Sequence, residues 1–305
     1  MKFKIISLLV ALCFLFSACS IITEKPDIGS SQGNISEVTN SNTQGSLKVH
    51  ILDVGQGDSI LLQCGGSSML IDAGNNGDAS LVTGYLKSQG IIKLDYVIGT
   101  HPHEDHIGSL DAVIKAFGVG EIYMPKVTST TKTFKDVILA IKDKGLTINT
   151  PVPGSSFKLG NAECTILAPV GLKYDDFNNY SIVVKIVFGK TSLLFTGDAQ
   201  AISEDEMISQ GYDLKADVLK VGHHGSHSST SDEFLDKVKP EYAVISCAKV
   251  NDYGHPHKET MEKLQERGII VYRTDESGTI VCTSDGEKIS FNVSPGSYTP
   301  GVKKN

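Results

Sequence analysis

The sequence predicts an α/β protein built as an αββα sandwich, two sheets packed face to face with helices on both outer sides. Two observations predict it. A strand-rich stretch followed by helices occurs twice along the chain, which suggests two sheets packed face to face with helices on both outer sides. In addition, residues 47–294 contain no low-complexity break, so both halves belong to one domain of a 305-residue chain that is long enough for a large core.

The elements follow in order. LKVHILDV, DSILLQC and SSMLIDAG are short, apolar or alternating, and separated by glycine-containing turns, so they read as three successive strands. Residues 78–89 have helical spacing, DYVIGT is a buried strand, and HIGSLDAVIKAF places apolar residues at helical intervals. EIYMP is a strand and TKTFKDVILAIKDKG a helix. Segments near 146–149, 156–168, 180–188 and 191–196 are strand candidates. The chain then alternates: a helix near 200–209, strand ADVLKV, a helix near 231–238, strand YAVISC and a helix over about 257–267. IIVYRT, GTIVCT and EKISFNV close the domain as strands. Residues 295–305 form a C-terminal tail.

The first eighteen residues combine two lysines with an apolar run too short and too terminal for an ordinary membrane span, the pattern of an export signal. The run ends in Phe16-Ser17-Ala18-Cys19, which resembles a bacterial lipobox with Phe16 where leucine is usual. Residues 1–19 are therefore expected to be a lipoprotein signal, with Cys19 lipidated and the body exported and anchored on the outer side of the cytoplasmic membrane. Residues 20–46, rich in Ser, Thr, Asn and Gly, bury too little apolar surface to fold and read as a flexible tether. Cys64, Cys164, Cys247 and Cys282 lack C-x-x-C spacing and read as buried free thiols. With 28 Lys and Arg against 35 Asp and Glu, a general electrostatic grip on nucleic acid is not indicated.

Three of nine histidines fall within His101–His106, between the end of a buried strand and the start of a helix. Imidazoles and carboxylates are natural ligands of divalent ions, and His101, His103, Asp105 and His106 on one loop could serve two adjacent ions. In an extended segment His101, His103 and Asp105 share a side, His106 turns elsewhere and Glu104 points away.

The pattern H-x-H-x-D-H resembles the signature of the metallo-β-lactamase superfamily of metal-dependent hydrolases, which implies a four-layer αββα sandwich of the metallo-β-lactamase type. Asp72 then matches the early aspartate that supports the ligand loop, Asp198 in LLFTGDA the aspartate bridging two metals, and His223 and His224 in DVLKVGHHGS the late histidine. LDVGQGDS, NNYSIVVKIVFGKTSLLFTGDA, ADVLKVGHHGS and YGHPH further resemble the C-terminal hydrolase domain of ComEC-type DNA-internalisation proteins. That superfamily usually supplies a histidine between the first loop and the bridging aspartate, yet none occurs between His106 and His223. The nearest members carry Asn-Asn-x-Ser there, here Asn178, Asn179 and Ser181. Either His223 and His224 each serve one metal, with a turn at Gly222 or Gly225, or one metal keeps more water.

The resemblance implies two divalent ions, zinc with manganese as the alternative, and a metal-activated water that hydrolyses a phosphodiester, DNA among the candidate substrates. Asp105, Asp198 and His255 are the expected catalytic residues, His255 as a substrate-phosphate contact or proton donor at a helix start. Asp72, Asp58, Asn179 and Ser181 are expected to support the ligands. His227 reads as a surface or supporting histidine and His50 as structural. The competing functions are an envelope hydrolase acting on phosphocholine esters or β-lactams, which suits the acidic balance, and a non-catalytic metal-binding lipoprotein. No protein partner is evident.

Overall fold

The computed structural model describes residues 45–304. The expected signal 1–19, its Cys19 and all but the last two residues of the 20–46 tether lie outside the described residues. In the first half, β1 (Leu47–Ile51), β2 (Ile60–Cys64) and β3 (Ser67–Ile71) form an antiparallel meander. Helix α1 (Ala79–Ser88) crosses to β4 (Lys93–Ile98), α2 (Glu104–Ile107) and α3 (Leu110–Ala116) lead to β5 (Gly118–Tyr123), and α4 (Lys132–Asp143) leads to β6 (Ile148–Asn149); these strands run parallel to β3.

The second half repeats the plan. β7 (Ser156–Leu159), β8 (Ala162–Ala168), β9 (Val183–Phe188) and β10 (Thr191–Phe195) are antiparallel neighbours. Then α5 (Ala201–Ser209), β11 (Val218–Lys220), α6 (Asp232–Val238), β12 (Tyr242–Ile245), the short β13 (Val250–Asn251), α7 (Lys258–Glu266) and β14 (Ile270–Arg273) follow, with β11, β12 and β14 parallel to β10. After α8 (Thr274–Ser277), β15 (Ile280–Ser284) and β16 (Ile289–Phe291) return to the first sheet beside β1. The sheets are ordered β16-β15-β1-β2-β3-β4-β5-β6 and β14-β12-β11-β10-β9-β8-β7.

Three apolar layers define the sandwich. Val49, Leu62, Cys164, Ile186, Phe188 and Leu193 meet between the sheets, while Leu61, Leu70, Val82 and Val137 pack under the helices of the first half. Leu194, Leu219, Phe234 and Leu264 do the same in the second. Adjacent residues such as Leu61 and Leu62, or Leu193 and Leu194, point to opposite faces and are all buried, as strands covered on both sides require. Helix α4 shows the local logic: Thr131 caps it by accepting from Phe134 N at 3.3 Å, and Val137, Ala140 and Ile141 form its buried stripe.

Two details depart from the sequence reading. The 156–168 segment is a hairpin, folding back at Gly160, which takes φ +55°. Residues 296–304, separated above as a tail, are laid on the body: β17 (Val302–Lys303) pairs with β13, Gly296 N donates to Val271 O, and Gly301 N donates to Pro256 O at 2.7 Å. Arg273 donates to the carbonyls of Ser297 and Thr299 beneath this strap. The four body cysteines are buried and free. Among the described residues, no helix is long and apolar enough to cross a membrane.

Candidate metal centre

Every candidate ligand follows the C-terminal end of a strand that begins or continues a parallel run, the place where open α/β sheets gather sites. Asp72 follows β3, His101 and His103 follow β4, Asp198 follows β10, and His223 and His224 follow β11. The loop after β4 stays extended through His103 (φ −74°, ψ 151°) and then turns into α2. Asp105 and His106 are thus presented by a helical turn and not by a continued extended segment. Glu104, expected to point away, sits exposed on the rim of the cleft over the site.

Asp72 anchors this loop. Its Oδ1 accepts from Thr100 N at 2.8 Å, and its Oδ2 accepts from Thr100 Oγ1 and from His106 Nδ1, both at 2.7 Å. Because a carboxylate only accepts, His106 must carry its proton on Nδ1, and Nε2 faces inward. Asp72 is a non-glycine residue at φ +58°, a conformation that places both carboxylate oxygens under the loop.

The two oxygens of Asp198 face two different groups of donors. Oδ1 lies 3.2 Å from His106 Nε2 and 3.5 Å from His224 Nε2, and His224 Nε2 lies 3.3 Å from Asp105 Oδ2. The donor atoms of Asp105, His106, Asp198 and His224 are all within 4.8 Å of one another. Oδ2 lies 3.8 Å from His101 Nε2 and 3.7 Å from His223 Nε2, and His101 Nε2 is 3.0 Å from His103 Nδ1. This second set is chained by pairs and is the more open. Tetrahedral sites with bonds of about 2.1 Å have donors about 3.4 Å apart, so the first set matches the spacing a zinc-sized ion needs, and the second would have to draw together to do so.

His223 and His224 reach different sets because both adopt left-handed conformations, φ 49° and 54°. The expected turn at the flanking glycines is made by the histidines themselves, with Gly225 (φ +86°) closing it; a Cβ there would stand 2.5 Å from Pro256 Cβ. Behind the rings, His223 Nδ1 is 3.0 Å from Ser228 Oγ, and His224 Nδ1 donates to Ser246 O at 2.9 Å. These contacts leave both Nε2 atoms toward Asp198, the backing that fixes metal-ligating imidazoles.

The electrostatics are those of a cation site. Asp198 Oδ1 is buried and, despite its nearness to two imidazoles, makes no properly formed hydrogen bond. Burial would raise the Asp198 and Asp105 carboxyls, but the neighbouring His106 and His224 hold both below the usual range. Burial would likewise lower His106, but Asp198, Asp72 and Asp105 push it well above an ordinary histidine. The centre thus draws positive charge onto itself, and the donor chemistry fits divalent ions. A further convergence, Asp58 with Asp72 and His106, lies behind this centre. Its carboxylates are taken up by Lys220, Thr100 and His106, so it supports the donors.

The remaining predicted residues divide. Ser181 Oγ accepts from Asp198 N at 3.1 Å and lies 3.3 Å from His101 Nδ1, bracing one donor against another. Asn179 turns away, donating to Gln200 Oε1 at 2.9 Å, while Asn178 Nδ2 reaches within 3.5 Å of His223 Nε2. Hence Asn178, not Asn179, is the amide that reaches the donors. His255 is 3% exposed and its Nδ1 accepts from Gln56 Nε2 at 3.3 Å. Burial, then His224 and His223, hold it down at about 3, so it is neutral and its free Nε2–H is a hydrogen-bond donor. Tyr253 stacks on it at 5.3 Å. His227 and His257 pair with each other, Nδ1 to Nδ1 at 2.7 Å, outside both donor sets. His50 packs on Tyr85 far along β1. Gln56, Tyr253, Ser246 and Lys220 were not singled out from sequence; the YGHPH and LDVGQGD motifs held the signal for the first two.

A four-layer sandwich with paired imidazole and carboxylate donors at its strand ends defines a metal-dependent hydrolase. The chain belongs to the metallo-beta-lactamase superfamily, whose sequence pattern matches residues 52–249. It is 32% identical over 267 residues to ComE operon protein 3 of Bacillus subtilis, covering 81% of this chain and 34% of that protein. It is 32% identical over 238 residues to Recombination protein 2 of Haemophilus influenzae, covering 76% and 28%. The chain therefore spans about a third of the length of the curated relatives it matches. Among solved structures, the metallo-beta-lactamase fold protein YhfI of Bacillus subtilis superposes with a TM-score of 0.52 at 18% identity, over 79% of this chain and all of that one. This likeness supports the fold.

Proposed function

We propose that this protein hydrolyses a phosphodiester, with nucleic acid as the substrate class, and that the body is held outside the cytoplasmic membrane by lipidation of Cys19. The observation that carries the reading is the division of Asp198: one buried carboxylate faces His106 and His224 with one oxygen, and His101 and His223 with the other. Bound divalent ions, zinc or manganese, would supply the Lewis acidity that makes water nucleophilic near neutral pH and offsets charge developing on the scissile group. The chain's own part is positioning. His101, His103, Asp198 and His223 would hold one ion, and Asp105, His106, Asp198 and His224 the other. A cleft of about 390 Å³ opens over them, lined by Gln56, Asn178, Tyr253 and His255. Asn178 Nδ2 and the neutral His255 Nε2–H are uncharged donors suited to a phosphoryl oxygen, and Tyr253 offers an exposed ring beside them. The names of the relatives, a ComE operon product and a recombination protein, agree with a nucleic acid substrate.

The test is hydrolysis of bis(p-nitrophenyl) phosphate by zinc- or manganese-loaded protein beside Asp198→Ala. Turnover that depends on metal and is lost in a folded variant is expected; full activity in the variant would refute the assignment. Glu104 and Asp176 on the cleft rim, with Tyr253, favour a second reading, a cationic ester such as phosphocholine. Preferential hydrolysis of p-nitrophenyl phosphocholine would select it. Tight metal binding without turnover of either ester or of a β-lactam would select the metal-binding lipoprotein.

A further inference from the structure

Lys220 is the last residue of β11, and its side chain is only 1% exposed. Lysines are almost never buried this far unless paired. Nζ donates to Val221 O at 3.0 Å and forms an ion pair with Asp58 Oδ2 at 2.9 Å. Asp58 is as deeply buried, and its other oxygen, Oδ1, has no hydrogen-bond partner; it faces His224 Nδ1 at 3.6 Å. A buried ion pair is a poor source of stability, because desolvation offsets its Coulombic gain, so an interior pair beside a ligand calls for another account.

The loop bearing Asp58 supplies that account. Asp58 N donates to Asp105 O at 3.0 Å, Gly74 N donates to Asp58 O at 2.8 Å, and Ser246 Oγ donates to Gly57 O at 2.7 Å. A Cβ on Gly57 would stand 2.4 Å from Asp105 O, so the loop is pressed directly onto the ligand loop. Ser246 in turn accepts the His224 Nδ1 proton on its carbonyl. One short loop therefore touches the backbone of Asp105 and the backing of His224, and Lys220 pins it.

We infer that Lys220 and Asp58 are positioning residues, an internal ion pair that locks the His224 ring with Nδ1 protonated and Nε2 facing Asp105 and Asp198. The inference rests on the reading of this centre as a metal site. It makes the two ion positions unequal: the Asp105–His106–His224 set depends on the pair, and the His101–His103–His223 set does not touch it.

The test is zinc titration of the metal-stripped full chain by calorimetry, with the charge-neutral double variant Lys220→Met/Asp58→Asn. Two ions are expected on the wild-type protein. In the double variant one should bind unchanged and the other about 10–100-fold more weakly, the usual effect of removing a ligand's backing, while the melting temperature stays at or above wild type. Wild-type affinity for both ions in the double variant would overturn the inference and leave the metal reading intact. Fewer than two ions on the wild type would overturn both. Asp58→Glu, which keeps the ion pair but displaces Oδ1, guards against a variant that does not fold. It should weaken the same single ion and populate both His224 tautomers in ¹⁵N-histidine spectra; one tautomer and unchanged affinity would overturn the inference.

Discussion

If His223 and His224 serve different ions, deleting each ring should remove a different ion. Each donor set has four members, and His223 and His224 each meet only one oxygen of Asp198, at 3.7 and 3.5 Å. Structural zinc sites with four protein donors bind with about 10–16 kcal/mol, so one donor is worth about 3–4 kcal/mol, or about 10²–10³-fold in Kd. His223→Ala should weaken one ion by that amount and leave the other, and His224→Ala should do the reverse. Asp198→Ala should weaken both. The assay is metal content by mass spectrometry after dialysis against graded chelator, with cobalt absorption reporting which donors remain. Because the compact set is the one containing His224, His223→Ala should retain the tighter ion. Loss of both ions in either histidine variant, or of neither, would refute the division of labour read from the left-handed turn.

Three other outcomes are expected. Truncation before Gly296 removes the Gly296-to-Val271, Gly301-to-Pro256 and Lys304-to-Asn251 bonds and the two Arg273 contacts to the Ser297 and Thr299 carbonyls. At about 1 kcal/mol per bond it should cost about 5 kcal/mol by urea denaturation, and lower kcat/KM more than a surface mutation of equal stability cost. Burial pushes the Cys164 and Cys282 thiols up to about 12 and raises Cys247 as well, so these thiols stay neutral at pH 8. Of the six cysteines, no more than Cys13 and Cys19 should react with a thiol-disulfide reagent until the protein unfolds; faster release of further equivalents would contradict the buried placement. Finally, Ser231→Ala, which removes the cap accepting from Phe234 N at the start of α6, should cost about 1 kcal/mol without changing metal content.

Periodicity was enough to read the layers, since strands covered on both faces are continuous apolar runs and the helices carry narrow stripes. The hairpin at Gly160 was legible as well, since Gly160-Asn161 between two strand runs is a hairpin dipeptide. The donor-bearing loops were legible for a different reason, the density of His and Asp at one strand end. What was not legible was backbone conformation at single residues. Nothing in VGHHGS says that the histidines, and not the glycines, take φ near +50°. Nor does a lysine within VLKV declare itself buried, since lysines are almost always exposed unless paired and its partner Asp58 lies far away in the sequence. The Asn178 and Asn179 exchange has the same origin: in the short helical turn Phe177–Tyr180 the two side chains diverge, and the tertiary fold decides which one meets His223.

The charge balance ties these features together. Asp58, Asp72, Asp105 and Asp198 crowd the ends of four strands with Lys220 as the one permanent cation among them, which leaves an excess of three negative charges before the histidines titrate. Without ions, protons on His106 and His224 make up part of the deficit, and both are raised for that reason. Adding to this, two adjacent left-handed histidines cost about 1–2 kcal/mol each, and the buried Lys220 pair returns little. A centre so arranged favours cations, and ions that bind the folded chain alone would stabilise it by mass action. Folding and metal occupancy would then be coupled, with bound ions offsetting the cost of the crowded strand ends.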